Sequence, residues 1–247
     1  MTIKALAFDV NSTLIDIITD ESGEEIYRTV RHFLTYQGID LSRSDLRDLY
    51  NGLMKAQISA STDPYPEYDA VDIWRTIIAQ YQTAFTRSLP AQQIQELPLF
   101  LAQMVRGISR KRLELYPNVL EVLAKLRGRF PMAIVTDAQS AYASAELYKV
   151  GLIDYFHPII VSGDYGYRKP DPRLFQKALE GMGVAAEETL FIGNDMHRDI
   201  YGAQQIGMKT LMFNSPQGEK SYADIVPDFT ITDYRELLPI LGISGAS

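Results

Sequence analysis

Apolar residues in this chain follow two periods that divide it along its length. Near the start, Ala5-Leu6-Ala7-Phe8 is an uninterrupted apolar run bounded by Lys4 and Asp9, which predicts a strand buried on both faces. Over 24–37 the apolar positions Ile26, Val30, Phe33 and Leu34 recur at helical spacing, and Gly38 supplies a stop. A second helix is expected through Leu46, Leu49 and Leu53, capped by Ser42 or Ser44. Asp63-Pro64-Tyr65-Pro66 marks a loop, because two prolines so close do not fit a helix or a central strand. The pattern is helical again over 70–85 and 91–108, with Pro98 expected to break or kink the second of these near Leu97. No strand pattern occurs between Leu14 and Leu115.

Beyond Tyr116-Pro117 the pattern alternates. Asn118 is expected to cap a helix through Val119, Leu120, Leu123 and Leu126, and Gly128 to stop it. Strands are then expected at 132–135, 159–161, 190–192, 210–213 and 229–231, separated by helices at 140–149, 172–182 and 199–206, with a last helix at 234–241. Strands alternating with helices imply right-handed crossovers and a parallel sheet covered on both faces. The expected fold is therefore α/β: a doubly wound, Rossmann-like parallel sheet built from 1–15 and 116–247, with 16–115 forming an all-helical cap.

Composition narrows the class without choosing a function. At 247 residues the chain can bury a substantial core, and 46% hydrophobic with 22% charged residues is ordinary for a globular protein. A net charge of -7 argues against a general binder of nucleic acid or anionic membranes. An anionic substrate must then be drawn in by a local site. The absence of cysteine excludes disulfides, thiol catalysis and thiolate metal sites. The N-terminus lacks the longer apolar region and small-residue cleavage site of a signal peptide, and no apolar run approaches the ~20 residues of a membrane span. A soluble cytoplasmic protein is expected.

Candidate chemistry lies where apolar runs end. The first run leads into Asp9-Val10-Asn11-Ser12-Thr13, another into Thr136-Asp137, and a third into Gly193-Asn194-Asp195-Met196-His197-Arg198-Asp199, while Arg168-Lys169-Pro170-Asp171-Pro172 sets a lysine before a rigid turn. In an open parallel sheet the carboxyl ends of the strands face the ligand crevice, so these residues would be presented to a substrate. In this order and context the four segments resemble the motifs of the haloacid dehalogenase (HAD) superfamily of hydrolases. The resemblance spans the whole chain, although 16–115 matches only in position and helical character.

That resemblance implies roles. Asp9 would be the nucleophile that forms an aspartyl intermediate. Asn11 stands where phosphatases of the family carry the aspartate that protonates the leaving oxygen and then activates water. A side-chain amide has no proton to give at neutral pH, and losing a general acid costs about 100- to 10,000-fold in rate. Thr13, Thr136 and Asp137 would serve substrate binding, Thr136 through a hydroxyl on the phosphoryl oxygens, with Thr13 also steadying the first loop. Lys169 would stabilise the nucleophile and the developing charge. Mg²⁺ would be held by Asp9, the Asn11 carbonyl and the loop of Asn194, Asp195 and Asp199, with the choice between Asn194 and Asp195 left open.

The expected function is a Mg²⁺-dependent, phosphatase-like hydrolase of a small soluble, phosphorylated substrate. It would act as a monomer or homodimer without nucleic-acid or membrane partners. Two alternatives stand beside it: a 2-haloacid dehalogenase, whose halide leaves without a proton, and a binding protein that has lost its acid/base chemistry. His32, His157 and His197 show no metal-ligand spacing and read as structural. Tyr65, Tyr68 and Trp74 read as packing within the insert, or as part of a 63–68 loop that reaches over the active site.

Overall fold

A computed structural model describes residues 2–243. Its strands are β1 (Ala5–Phe8), β2 (Ile15–Thr19), β3 (Arg110–Leu115), β4 (Met132–Thr136), β5 (Ile159–Val161), β6 (Thr189–Gly193), β7 (Lys209–Phe213) and β8 (Phe229–Ile231). Six of them form one parallel sheet in the order β5-β4-β1-β6-β7-β8. β1 sits in the interior, with Leu6 opposite Met132 on one side and Leu190 on the other. The chain builds outward from β1 in both directions, so the ends of β1, β4 and β6 meet at the switch in strand order where open α/β sheets place their ligands.

The strands are continuous apolar runs because both faces are covered. Leu6, Phe8, Ile134, Leu190 and Ile192 face one cluster with Val122, Leu123, Leu126 and Leu147. Their neighbours Ala7, Ala133, Val135 and Phe191 face the other, against Leu174, Phe175 and Ala178. The small alanines on this second face leave room for Phe175 and Phe191 to meet edge-on at 4.9 Å.

The chain forms two compact units, Met1–Ile17 with Leu113–Ser247, and Ile18–Arg112. The second contains α1 (Glu24–Thr35), α2 (Arg43–Ala60), α3 (Ala70–Tyr81), α4 (Ala84–Ser88) and α5 (Ala91–Ser109). Ser42 caps α2 by accepting the Asp45 N–H at 3.1 Å, and Asp69 caps α3 by accepting the Asp72 N–H at 2.9 Å. Leu46, Ile73, Trp74 and Ile77 are fully buried there. Each such side chain contributes about 1.5–3 kcal/mol.

Two expectations for the stretch 16–115 are corrected. The break expected at Pro98 does not occur, and α5 runs through it. Pro98 is buried beside Leu97 and Leu101, so apolar burial offsets the one main-chain bond that the ring removes. The stretch between Leu14 and Leu115 does hold strand: β2 and β3 pair in a two-stranded sheet. β3 is Arg-Lys-Arg-Leu-Glu-Leu, with no fully buried position, and therefore carries no continuous apolar signal.

In the first unit α6 (Val119–Leu126), α7 (Ala143–Lys149) and α8 (Pro172–Met182) connect the strands. Asn118 precedes α6 without a side-chain capping bond. Its amide instead donates to both Asp233 oxygens at 3.1 and 3.0 Å. The helix expected over 199–206 is a π-helical turn, Met196–Tyr201, followed by a short α-helical piece, Gly202–Gln204. Among the described residues no helix is long and apolar enough to cross a membrane.

Candidate active site

The main chain of Asp9 continues the sheet, donating to the Ile192 carbonyl at 2.9 Å, and the next residues turn sharply: the N–H groups of Thr13, Leu14 and Ile15 all point at the Val10 carbonyl. That turn carries the Thr13 hydroxyl back toward Asp9. It lies 2.8 Å from Asp9 Oδ2 and 3.1 Å from Asn194 Oδ1, bringing the first and fourth segments to one point. The Thr13 carbonyl in turn accepts the buried Tyr234 hydroxyl at 3.0 Å.

Lys169 joins the third segment to both. Its Nζ donates to Asp9 Oδ1 at 2.7 Å and to Asp199 Oδ1 at 2.6 Å, with all three side chains buried. Asp199 Oδ2 accepts the N–H groups of Asn194 and Asp195, each at 3.0 Å. Glycine is required at 193, because a Cβ there would lie 2.4–2.5 Å from the Asp199 side chain. Burial works against charge on Lys169, but the surrounding Asp199, Asp9 and Asp137 outweigh it and raise the ammonium above its ordinary value. Burial pushes Asp199 up to about 6, against the pull of Lys169.

Asp195 faces elsewhere. Its Oδ1 accepts the N–H groups of His197 and Arg198, and its Oδ2 accepts two Arg198 guanidinium donors, at 3.0 and 2.9 Å, and the Glu219 N–H. Burial would raise its carboxyl, yet these donors hold it below the ordinary range. Arg198 also reaches to 3.8 Å from Asp137 Oδ2, while Asp137 Oδ1 accepts the Lys169 N–H at 2.9 Å.

A loop after β7 straps the fourth segment. The Gln217 carbonyl accepts Asn194 Nδ2 at 3.0 Å, the Gln217 amide donates to the Ile17 carbonyl at 3.0 Å, and Lys220 Nζ donates to the Gln217 carbonyl. Gly218, at a φ of +84°, passes so close that a Cβ would lie 2.5 Å from the Asn194 carbonyl oxygen. The strap therefore fixes the Asn194 amide with its nitrogen on Gln217 and its oxygen toward Thr13 and Asp9.

Among the described residues no three acidic or histidine side chains converge as a metal-binding group. Oxygens of mixed type do converge. Asp9 Oδ2 and Asn194 Oδ1 face the same hydroxyl, and Asn11, half-buried, follows two residues after Asp9. One carboxylate with neutral oxygens fits Mg²⁺, which takes one or two carboxylates and keeps several waters. With fewer acids, such a site is weak.

The profile of the haloacid dehalogenase-like hydrolase family matches residues 6–213. The chain belongs to that family. The glyceraldehyde 3-phosphate phosphatase of Methanopyrus kandleri is 27% identical over 263 residues, covering 97% of each chain. The phosphoserine phosphatase of Thermus thermophilus is 33% identical over 129 residues, covering 52% of this chain and 51% of that protein. Among solved structures, a 2-haloacid dehalogenase from Pseudomonas syringae pv. Tomato is 25% identical with a TM-score of 0.72, covering 98% of this chain and 99% of that one. The chain is thus a phosphatase-like enzyme of the HAD family.

Within this HAD fold, Asp9, Thr13, Lys169, Asn194 and Asp199 come together, and Thr136 and Asp137 stand at the end of β4. Thr13 braces Asp9 and Asn194. Asp195 is turned into a cap and a clamp for Arg198. His197 stacks on Tyr222 with ring centroids 4.2 Å apart, and Trp74 is fully buried in the helical unit. Sequence reasoning missed Arg198, Tyr234 and the Gln217–Lys220 strap. One signal was available for the strap: Ser215-Pro216-Gln217-Gly218 is a turn cluster directly after a strand's carboxyl end.

Proposed function

We propose that this protein hydrolyses a small phosphorylated molecule through an aspartyl-phosphate intermediate on Asp9, working as a soluble cytoplasmic monomer or homodimer with 16–115 as its cap domain. One observation carries the reading: a buried carboxylate at the end of the central strand is held by a buried lysine at 2.7 Å and a hydroxyl at 2.8 Å. A carboxylate fixed in this way can attack phosphorus without first losing a water shell.

Lys169, kept protonated by its acidic neighbours, offsets charge on Asp9 and on the phosphoryl oxygens. The buried Thr136 hydroxyl has no hydrogen-bond partner. A phosphoryl oxygen would satisfy it, which supports its place in substrate binding. When bound, Mg²⁺ would be held by Asp9, the Asn11 carbonyl and the Asn194 oxygen, and would neutralise charge gathering at the phosphoryl group. The relatives named for glyceraldehyde 3-phosphate and phosphoserine support a small phosphorylated substrate.

The test is turnover of para-nitrophenyl phosphate with Mg²⁺. Activity is expected, and Asp9→Asn should lower it on the order of 10⁴-fold or more. No native activity, or activity that survives the substitution, would refute the reading.

A second reading, 2-haloacid dehalogenase, draws on Asn11 and on the structural likeness to a protein of that name. Halide needs no proton to leave, so an amide at position 11 is no handicap. Chloride release from a small chloroacid without added metal would support it. Failure there, beside a measurable phosphatase rate, discards it.

A further inference from the structure

Four aspartates gather about this site, and in three of them both oxygens are engaged. Asp9 meets Lys169 and Thr13. Asp199 meets Lys169 and two main-chain N–H groups. Asp195 is held by Arg198 and three main-chain N–H groups. Asp137 differs: its Oδ1 accepts the Lys169 N–H, but its buried Oδ2 has no hydrogen-bond partner, with Arg198 Nη1 at 3.8 Å, beyond bonding distance. The preceding Thr136 hydroxyl is also buried without a partner. Two successive residues at the carboxyl end of β4 therefore hold polar atoms that a ligand would complete.

The site also lacks something, since Asn11 cannot act as an acid. We propose that Asp137, as a carboxylic acid, gives the leaving oxygen the proton that Asn11 cannot. The inference rests on the phosphatase reading and adds a catalytic residue to it. Burial holds the Asp137 carboxyl above the ordinary carboxylate range. The charges facing it are Lys169 and Arg198, which oppose the rise, and Asp199, which adds to it.

In the first step an Asp9 oxygen bonds to phosphorus as the ester P–O bond breaks. The electron pair stays on the leaving oxygen, which takes the Asp137 proton and departs as an alcohol. Water then attacks phosphorus and the Asp9–phosphorus bond breaks, its electrons returning to the carboxylate. The proton lost by that water restores the Asp137 acid, and inorganic phosphate leaves.

Asp137→Asn keeps an oxygen for the Lys169 N–H and removes only the acid. Its kcat on an alkyl phosphate should fall about 100-fold or more, and by at least about tenfold more than its kcat on para-nitrophenyl phosphate, whose phenolate leaves unaided. The native alkyl-phosphate rate should decline as pH rises through the Asp137 titration, and that limb should vanish in the variant. Adding Asn11→Asp should recover alkyl-phosphate turnover. Equal losses on both esters would reduce Asp137 to a positioning residue for Lys169 and overturn the inference, as would an unchanged alkyl-phosphate rate. A native protein inactive on both esters would remove the phosphatase reading itself, a separate result.

Discussion

The two units bury different things. Every buried Asp, Glu or Lys among the described residues lies in the α/β unit: Asp9, Glu146, Lys169, Asp171, Asp195 and Asp199. In the helical unit the buried polar side chains are Gln37, Thr86 and Ser109, amid a core of Leu46, Ile73, Trp74 and Ile77. Burying a charge is destabilising unless it is paired and hydrogen-bonded, so the α/β unit carries a set of mutually dependent groups where the helical unit relies on filled volume. The chemistry sits where the fold tolerates this expense.

Substitutions can break that contrast. The largest effect on stability is expected from Lys169→Met, which leaves Asp9 and Asp199 buried without their cation. Unfolding by denaturant should show a loss of about 3–5 kcal/mol, and a loss under about 1 kcal/mol would mean that the acids find water or each other. Leu46→Ala makes the matching cut in the helical unit and should cost about 2–4 kcal/mol through a cavity alone. The chain has one tryptophan, buried Trp74 in α3, so its fluorescence reports on that unit while circular dichroism follows the whole chain. The two variants should shift the two signals to different extents.

Asn194→Asp sharpens the comparison. Placing an acid at this position would set a carboxylate oxygen against the Gln217 carbonyl, now 3.0 Å from Asn194 Nδ2. A destabilisation of about 1–3 kcal/mol is expected in the absence of divalent ions. A more stable variant would show that the strap adapts.

The smallest effect should come from Asp233→Ala. Arg235 and Asn118 hold this partly exposed carboxyl, which caps the turn at Tyr234–Glu236, down to about 2, so its contribution is present above the unfolded carboxylate value of about 3.9 and fades as pH falls toward about 2. Losing the cap should cost about 0.5–1 kcal/mol at neutral pH, and nothing in strong acid.

Much of this was legible from the residues. β1, β4 and β6 are short apolar runs with an acid, a hydroxyl or an amide at their ends, and a sheet covered on both faces demands that pattern. Asp9 and Lys169, which meet at 2.7 Å, are marked in the sequence by a strand end and a Lys-Pro-Asp-Pro turn. What could not be read was direction. Asp195 belongs to the fourth segment, yet it turns away because Arg198 and the Glu219 N–H, 24 positions on, supply better partners. The strap that orients Asn194 depends on a contact 23 residues away. Pro98 and the charged β3 defeated local rules, since burial and strand pairing outweighed intrinsic preference.

The central claim, attack on phosphorus by Asp9 in two displacements, has a direct stereochemical test. A phosphorothioate monoester whose phosphorus is made chiral with sulfur and two oxygen isotopes, hydrolysed in water carrying the third isotope, should yield inorganic thiophosphate of retained configuration, because two inversions cancel. Inversion would contradict the covalent intermediate.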